Sequence, residues 1–135
     1  MSSAGSERER VRGVIVGHGD MPRGLVDAVR RIAGEAAEGL VAVSNDAKGP
    51  EALRREVDAA AGEGRAIVFV DLQSGSCGLA AAYACRGSAH RAVICGVNLP
   101  MLLDFVFHRE LAMDALVVRL VEGGRAAIRV AAASS

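Results

Sequence analysis

Four short runs of apolar, largely β-branched residues punctuate the chain: VRGVIVG from Val11 to Gly17, GLVAVS from Gly39 to Ser44, AIVFVD from Ala66 to Asp71 and RAVICGV from Arg91 to Val97. Three of them are apolar almost throughout. A strand with one wet face alternates apolar and polar positions, whereas a parallel strand covered on both faces does not. The pattern therefore predicts a buried parallel sheet. Between the runs the period changes to that of a helix. Met21, Leu25, Val29 and Ile32 fall on one stripe, and Leu53, Val57 and Ala60 on another that follows Pro50, a residue suited to a first helical turn. After Val97, NLPMLLDFVF and MDALVVRLVEGG predict two more helices, and RAAIRV, from Arg125 to Val130, a last strand. Strand alternating with helix implies right-handed βαβ units. The expected fold is an α/β doubly wound open sheet, mostly parallel, with helices on both faces.

Composition sets the scale of this picture. With 135 residues, 51% of them hydrophobic, the chain suits a single domain with an ordinary core. That domain is expected over 11–130, between a disordered N-terminal arm, 1–10 (MSSAGSERER), and a C-terminal tail, 131–135. Sixteen basic and sixteen acidic residues cancel, and no Lys/Arg run marks a nucleic-acid or anionic-membrane binder. No apolar run approaches the ~20 residues that cross a bilayer, nor is there a secretory h-region, so the protein is expected in the cytoplasm. Cys77, Cys85 and Cys95 are odd in number and lack metal-type pairing, which fits a reducing compartment.

In a doubly wound sheet, ligands bind beyond the carboxyl ends of the strands, where the topology switches direction. Three strand ends carry suggestive residues. The first ends in Gly17, His18, Gly19 and Asp20, the third in Asp71 followed by LQSGSCG, and the fourth in GVNLP. They converge if strands one, three and four are neighbours. An imidazole with an unperturbed pKa of about 6.5 offers a neutral nucleophilic nitrogen at neutral pH. Asp71 on an adjacent strand would set its tautomer and orientation. The segment from Leu72 to Gly78 is rich in small residues and opens a helix, so its free amides and the helix dipole favour an anion. A phosphoryl group carried on His18 satisfies all three features.

Plainer roles stand beside these. A histidine between glycines is also a turn residue, and Asp71 can cap the helix that follows. Ser74 and Ser76 suit a turn or a cap. Asp20 and Pro22 start the first helix, and Asn98 and Pro100 set the start of a later one. His90 and His108 read as structural or surface residues, and Leu102, Phe105 and Val106 as core or dimer interface.

The motifs VIVGHG, VFVDLQSGSCGLAAA and VICGVNLPML, in this order, resemble the IIA domain of the mannose family of the bacterial phosphoenolpyruvate:sugar phosphotransferase system, over Val11 to Val130. The resemblance implies a flavodoxin-like sheet and a homodimer that exchanges its final strand. It also implies a phosphotransferase that works through a phosphohistidine. His18 would accept the phosphoryl group from phospho-HPr, Asp71 would orient it, and backbone amides around Leu72, Gly75 and Ser76 would bind its oxygens. A IIB protein on a separate polypeptide would be the next acceptor, for sugar uptake or regulation. The membrane would be reached only through a IIC/IID permease, and neither a metal nor a cofactor is implied. Two residues depart from the family's D-x-x-G-G-S-P loop: Ser74 replaces its first glycine and Cys77 its proline. If that first position needs a left-handed φ, Ser74 would be strained.

Three other classes are weighed against this reading. Gly17, Gly19 and Gly24 do not make the G-x-G-x-x-G spacing of a nucleotide-binding module. A cysteine hydrolase would use Cys77 at a helix start, paired with His18, and needs an activated thiolate. A metal site would draw on His18, Asp20 and Asp71.

Overall fold

A computed structural model describes residues 10–133, so the expected N-terminal arm lies outside the described residues up to Arg10, as do the last two residues of the tail. Four strands, β1 (Arg12–Gly17), β2 (Leu40–Ser44), β3 (Ala66–Val70) and β4 (Arg91–Cys95), fall on the four apolar runs. The helices are α1 (Met21–Ala33), α2 (Pro50–Ala61), α3 (Ser76–Cys85), α4 (Leu99–Val106) and α5 (Met113–Ala126). One further element, a 3-10 helix over Gly34–Gly39, has no apolar periodicity to announce it. It begins where Gly34 turns α1 off with a φ of 62° and donates its N–H back to the Arg30 carbonyl.

The strands are all parallel, in the order β2-β1-β3-β4. From β1 the chain first adds β2 on one flank and then crosses to lay β3 on the other. The switch point therefore lies between the carboxyl ends of β1 and β3.

Alternate residues of the two central strands feed two separate cores, because successive side chains point to opposite faces. Ile15, Ile67 and Phe69 pack with Val26 and Val29 of α1, with Met101, Leu102 and Phe105 of α4, and with Leu116 and Leu120 of α5. Val14, Val16, Val68 and Val70 face the other way, onto Leu53 and Val57 of α2 and Cys77, Ala80 and Ala81 of α3. Each large apolar side chain so buried stabilises by about 1.5–3 kcal/mol. Phe69 and Phe105 meet edge to face, with ring centroids 5.1 Å apart and planes at 74°. Leu102, Phe105 and Val106, for which core and dimer interface were both open, belong to this core.

At the opposite end of the sheet Arg109, a charged residue buried as a whole, anchors the start of β1. Its Nε donates to the Val11 carbonyl at 2.8 Å, and the Val11 N–H donates to the Arg109 carbonyl at 2.8 Å.

The expected last strand is not formed. Arg125 and Ala126 complete α5, and Ile128 and Val130 beyond it are 79% and 80% exposed, with no ladder to any described strand. Two causes combine. Gly123 and Gly124 do not end the helix, because Gly124 lies against α4, where a Cβ would come within 2.6 Å of Met101 Cε. A β-branched segment, moreover, becomes a strand only where an edge pairs with it. No helix among the described residues is long and apolar enough to cross a membrane.

Candidate functional site

The pairing of Val16 with Val70 brings the residues just past them face to face. The Asp71 N–H donates to the Val16 carbonyl at 3.2 Å, so the carboxylate emerges beside the turn that holds His18. Asp71 Oδ2 lies 2.6 Å from His18 Nδ1 and also accepts the His18 backbone N–H at 3.0 Å. Oδ1 accepts the Leu72 N–H at 2.9 Å. Asp71 does not cap α3, whose N-cap is Gly75. The close approach depends on Gly17, where a Cβ would sit 3.3 Å from the Asp71 carboxylate carbon and 3.2 Å from Pro22 Cγ.

These bonds decide the protonation pattern. Burial pushes the Asp71 carboxyl upward, but hydrogen bonds from the His18 ring, the His18 N–H and the Leu72 N–H, with the charge attraction of the ring when it is protonated, hold it below its ordinary 3.8. An ionised carboxylate only accepts hydrogen bonds, so Nδ1 must carry the proton. In the neutral imidazole Nε2 then holds the lone pair, and no described group bonds to it. The Asp71 side chain is 7% exposed and the His18 side chain 49%: the orienting group is covered and the reactive nitrogen's ring is open.

Opposite the ring, the segment after β3 turns into α3. Gly75 takes the left-handed conformation, with φ at 98°, while Ser74 does not: Ala47 is the only described non-glycine residue with positive φ. Replacing the first loop glycine by Ser74 is therefore unstrained. Gly78 is the position that tolerates no side chain, since a Cβ would lie 2.1 Å from the Gln73 carbonyl oxygen. The first helical bond of α3 runs from the Leu79 N–H to the Gly75 carbonyl at 3.1 Å, so the earlier amides of the turn are spared for other acceptors. The Leu72 amide is engaged by Asp71.

Cys77 is fully buried, with Sγ 3.9 Å from His18 Nδ1. Burial pushes its thiol pKa up, and the Asp71 charge pushes it further, against a smaller opposing hydrogen bond from Ser76. A hydrolase needs the reverse shift. Sγ also faces the ring nitrogen that already holds a proton for Asp71. The metal trio of His18, Asp20 and Asp71 is not assembled, because Asp20 points outward, 84% exposed, and pairs with Arg23. Donor atoms of His18, Asp71 and Cys77 do lie within 4.8 Å of one another. There, however, Nδ1 and Oδ2 share a proton at 2.6 Å and the thiol is held protonated, a poor donor set for a cation.

The remaining candidates are scaffolding. Asn98 caps α4, accepting the Met101 N–H at 3.1 Å, and ties it to α5 by donating to the Gly124 carbonyl at 2.9 Å. Asp20 is the N-cap of α1, with Pro22 in its first turn. His108 Nδ1 lies 2.8 Å from the Asp104 carbonyl oxygen on its own helix turn, and the His90 N–H donates to Ser88 Oγ. One supporting residue was missed. Asn45, just past β2, donates its N–H to the Gly17 carbonyl at 3.0 Å, and its Oδ1 accepts the Gly19 N–H at 3.3 Å, so it holds the histidine turn from the other flank. The strand-end rule that singled out Asp71 applies equally to Asn45. Around the site, Met21, Leu72 and Leu79 are exposed at 41%, 45% and 70%.

Comparison with known proteins bears on the family and the fold. The model of the EIIA-man family, described as PTS system fructose IIA component, matches residues 13–121. Among curated proteins nothing matches. Phosphotransferase system component EIIA from Streptococcus agalactiae superposes with a TM-score of 0.82 at 22% identity, covering 89% of this chain and 96% of that one. The mannose/sorbose specific IIA subunit from Enterococcus faecalis gives 0.81 at 22% identity, over 93% and 98%. The PTS IIA protein associated with the fucose utilization operon of Streptococcus pneumoniae gives 0.76 at 14% identity, over 90% and 93%. At these identities the structures speak for the fold alone.

Proposed function

The chain belongs to the EIIA-man family of phosphotransferase-system IIA components, and from that premise we propose that it is a phosphocarrier with His18 Nε2 as its acceptor atom. The observation that carries the proposal is the 2.6 Å contact between His18 Nδ1 and Asp71 Oδ2, which leaves Nε2 as the free nucleophile beside the start of α3. The Nε2 lone pair attacks the phosphorus of phospho-HPr. A new N–P bond forms as the donor's N–P bond breaks, and the donor imidazole leaves with that electron pair. Nδ1 keeps its proton throughout, directed at the Asp71 carboxylate, whose negative charge balances the positive charge that builds on the ring. Amides at Gly75 and Ser76 receive the phosphoryl oxygens, while Leu72, through its N–H, holds Asp71. Little covalent chemistry falls to the protein. It positions groups and stabilises charge with fixed dipoles.

The same transfer in reverse geometry hands the group to a IIB protein, and the exposed apolar residues Met21, Leu72 and Leu79 suit two successive, short-lived dockings. A cytoplasmic homodimer belongs to this reading, its final strand exchanged. Support for the exchange comes from Ile128 and Val130, apolar and exposed in the single chain. Incubation with labelled phosphoenolpyruvate, enzyme I and HPr tests the proposal. One acid-labile, base-stable label per chain is expected, absent in His18→Ala; a label that persists in that variant refutes it.

A further inference from the structure

At the far end of α3 from the histidine lies a second concave site. Its volume is about 460 Å³, and it is formed by α2, the last turn of α3 and the loop that leads into β4. Four arginines line it, Arg54, Arg55, Arg86 and Arg91, against one carboxylate, that of Asp58. In a chain whose sixteen basic and sixteen acidic residues cancel, this is a marked local excess of positive charge.

The one acid is already committed. Arg91 Nη1 bonds Asp58 Oδ1 at 2.6 Å, and Arg91 also donates to the carbonyls of Ala84 and Gly62, at 2.8 and 2.7 Å, so Arg91 and Asp58 together make the wall of the cavity. Arg54, Arg55 and Arg86 enter no ion pair among the described residues. Two of them are nevertheless held in place. The guanidinium carbon of Arg54 stands 4.0 Å from the centroid of the Tyr83 ring and that of Arg86 stands 5.1 Å from it. Stacking on an aromatic face restrains these long side chains without using their N–H groups, so less conformational freedom is lost when an anion binds.

From this geometry we infer a binding site for a small phosphorylated metabolite in the cavity bounded by Arg54, Arg55, Tyr83, Arg86 and Arg91, separate from the histidine site. Guanidinium forks match phosphate oxygens two at a time. A phosphate monoester near neutral pH carries close to two negative charges, enough to engage more than one arginine. The cavity's size lies in the range of small-molecule pockets and well below a protein interface. Ten residues of helix place it about 15 Å from the His18 loop, so the two sites can be filled independently.

The test titrates the full chain, followed by backbone amide NMR, with inorganic pyrophosphate, a hexose monophosphate and the unphosphorylated hexose. Saturable shifts at Arg86, Gly87 and Ser88 are expected with the two phosphates and none with the free sugar. In Arg54→Ser combined with Arg86→Ser, affinity should fall about tenfold, since two exposed ion pairs are lost. Neither side chain bonds the backbone, so the circular dichroism spectrum should not change; if that variant misfolds, Arg55→Gln alone should still weaken binding. Shifts confined to Gly75 and Ser76 would overturn the inference by assigning the anion to the histidine loop. Wild-type affinity in the folded variants would also overturn it, as would binding to phosphatidylglycerol vesicles without binding to either soluble phosphate.

Discussion

Replacing Asp71 by asparagine probes the site most directly, because it preserves shape and removes only charge. The carboxylate accepts three hydrogen bonds, two at Oδ2 from His18 and one at Oδ1 from Leu72. An amide has one accepting oxygen. With that oxygen toward His18, the Asn NH2 confronts the Leu72 N–H. In the flipped orientation the NH2 faces Nδ1 and favours the tautomer with its proton on Nε2, which is no nucleophile. Even in the better orientation, a charge-assisted bond worth about 1.5–3 kcal/mol becomes a neutral one worth about 0.5–1.5. The opposing N–H at Leu72 adds a smaller penalty, softened by water in this exposed loop. A total of about 1.5–3 kcal/mol slows transfer roughly ten- to a hundredfold. Rapid-quench measurement of label passing from phospho-HPr to the variant gives the rate, and long-range proton–nitrogen NMR of the His18 ring reports the tautomer. A folded Asp71→Asn protein with the wild-type rate and an unchanged Nδ1–H tautomer would refute the reasoning.

Three further outcomes follow from the same structure. The Asp71 pKa is depressed in the folded chain, so its contribution to stability is present above the unfolded value of about 3.8 and is lost as the pH falls through the lower folded value; urea melts of wild type and Asp71→Asn should differ at about pH 5 and converge as the pH is lowered from there. In Gly78→Ala the new methyl meets the Gln73 carbonyl, so the loop must move; thermal melting should show a loss of about 1–3 kcal/mol together with impaired labelling, and an unchanged melting temperature would mean that the turn is not held as described. Cys77→Ser should still take up label, and iodoacetamide near neutral pH should modify exposed Cys95 well before buried Cys77, whose thiol is held protonated; loss of labelling in Cys77→Ser would revive thiol chemistry.

The layout of the fold was legible because each βαβ unit is announced locally. Apolar runs such as AIVFVD cover both faces of a strand, and the stripe through Leu25 and Val29 can be buried only as a helix. The segment RAAIRV forms no strand in the single chain for the complementary reason: its residues are strand-like, but no described edge pairs with it, and α5 continues through Arg125. The 3-10 helix over Gly34–Gly39 was invisible because a turn of small and acidic residues has no period. At the site, His18 and Asp71 were readable as strand ends flanked by turn residues. Asn45 was overlooked, although it stands at a strand end too.

By itself, then, the sequence determined the alternation of strands and helices, the strand-end positions of His18 and of Asp71, and the glycine-rich start of α3, since each depends on neighbours close along the chain. Tertiary structure alone decided which strands lie side by side, that Ser74 escapes the left-handed turn taken by Gly75, and that Asp71 faces Nδ1 and so leaves Nε2 free. It alone gathered arginines dispersed between Arg54 and Arg91 around one tyrosine in a chain with no basic run. Proton placement and charge density depend on distances of a few ångströms between residues far apart in sequence, and only the packing of helices on the sheet sets those distances.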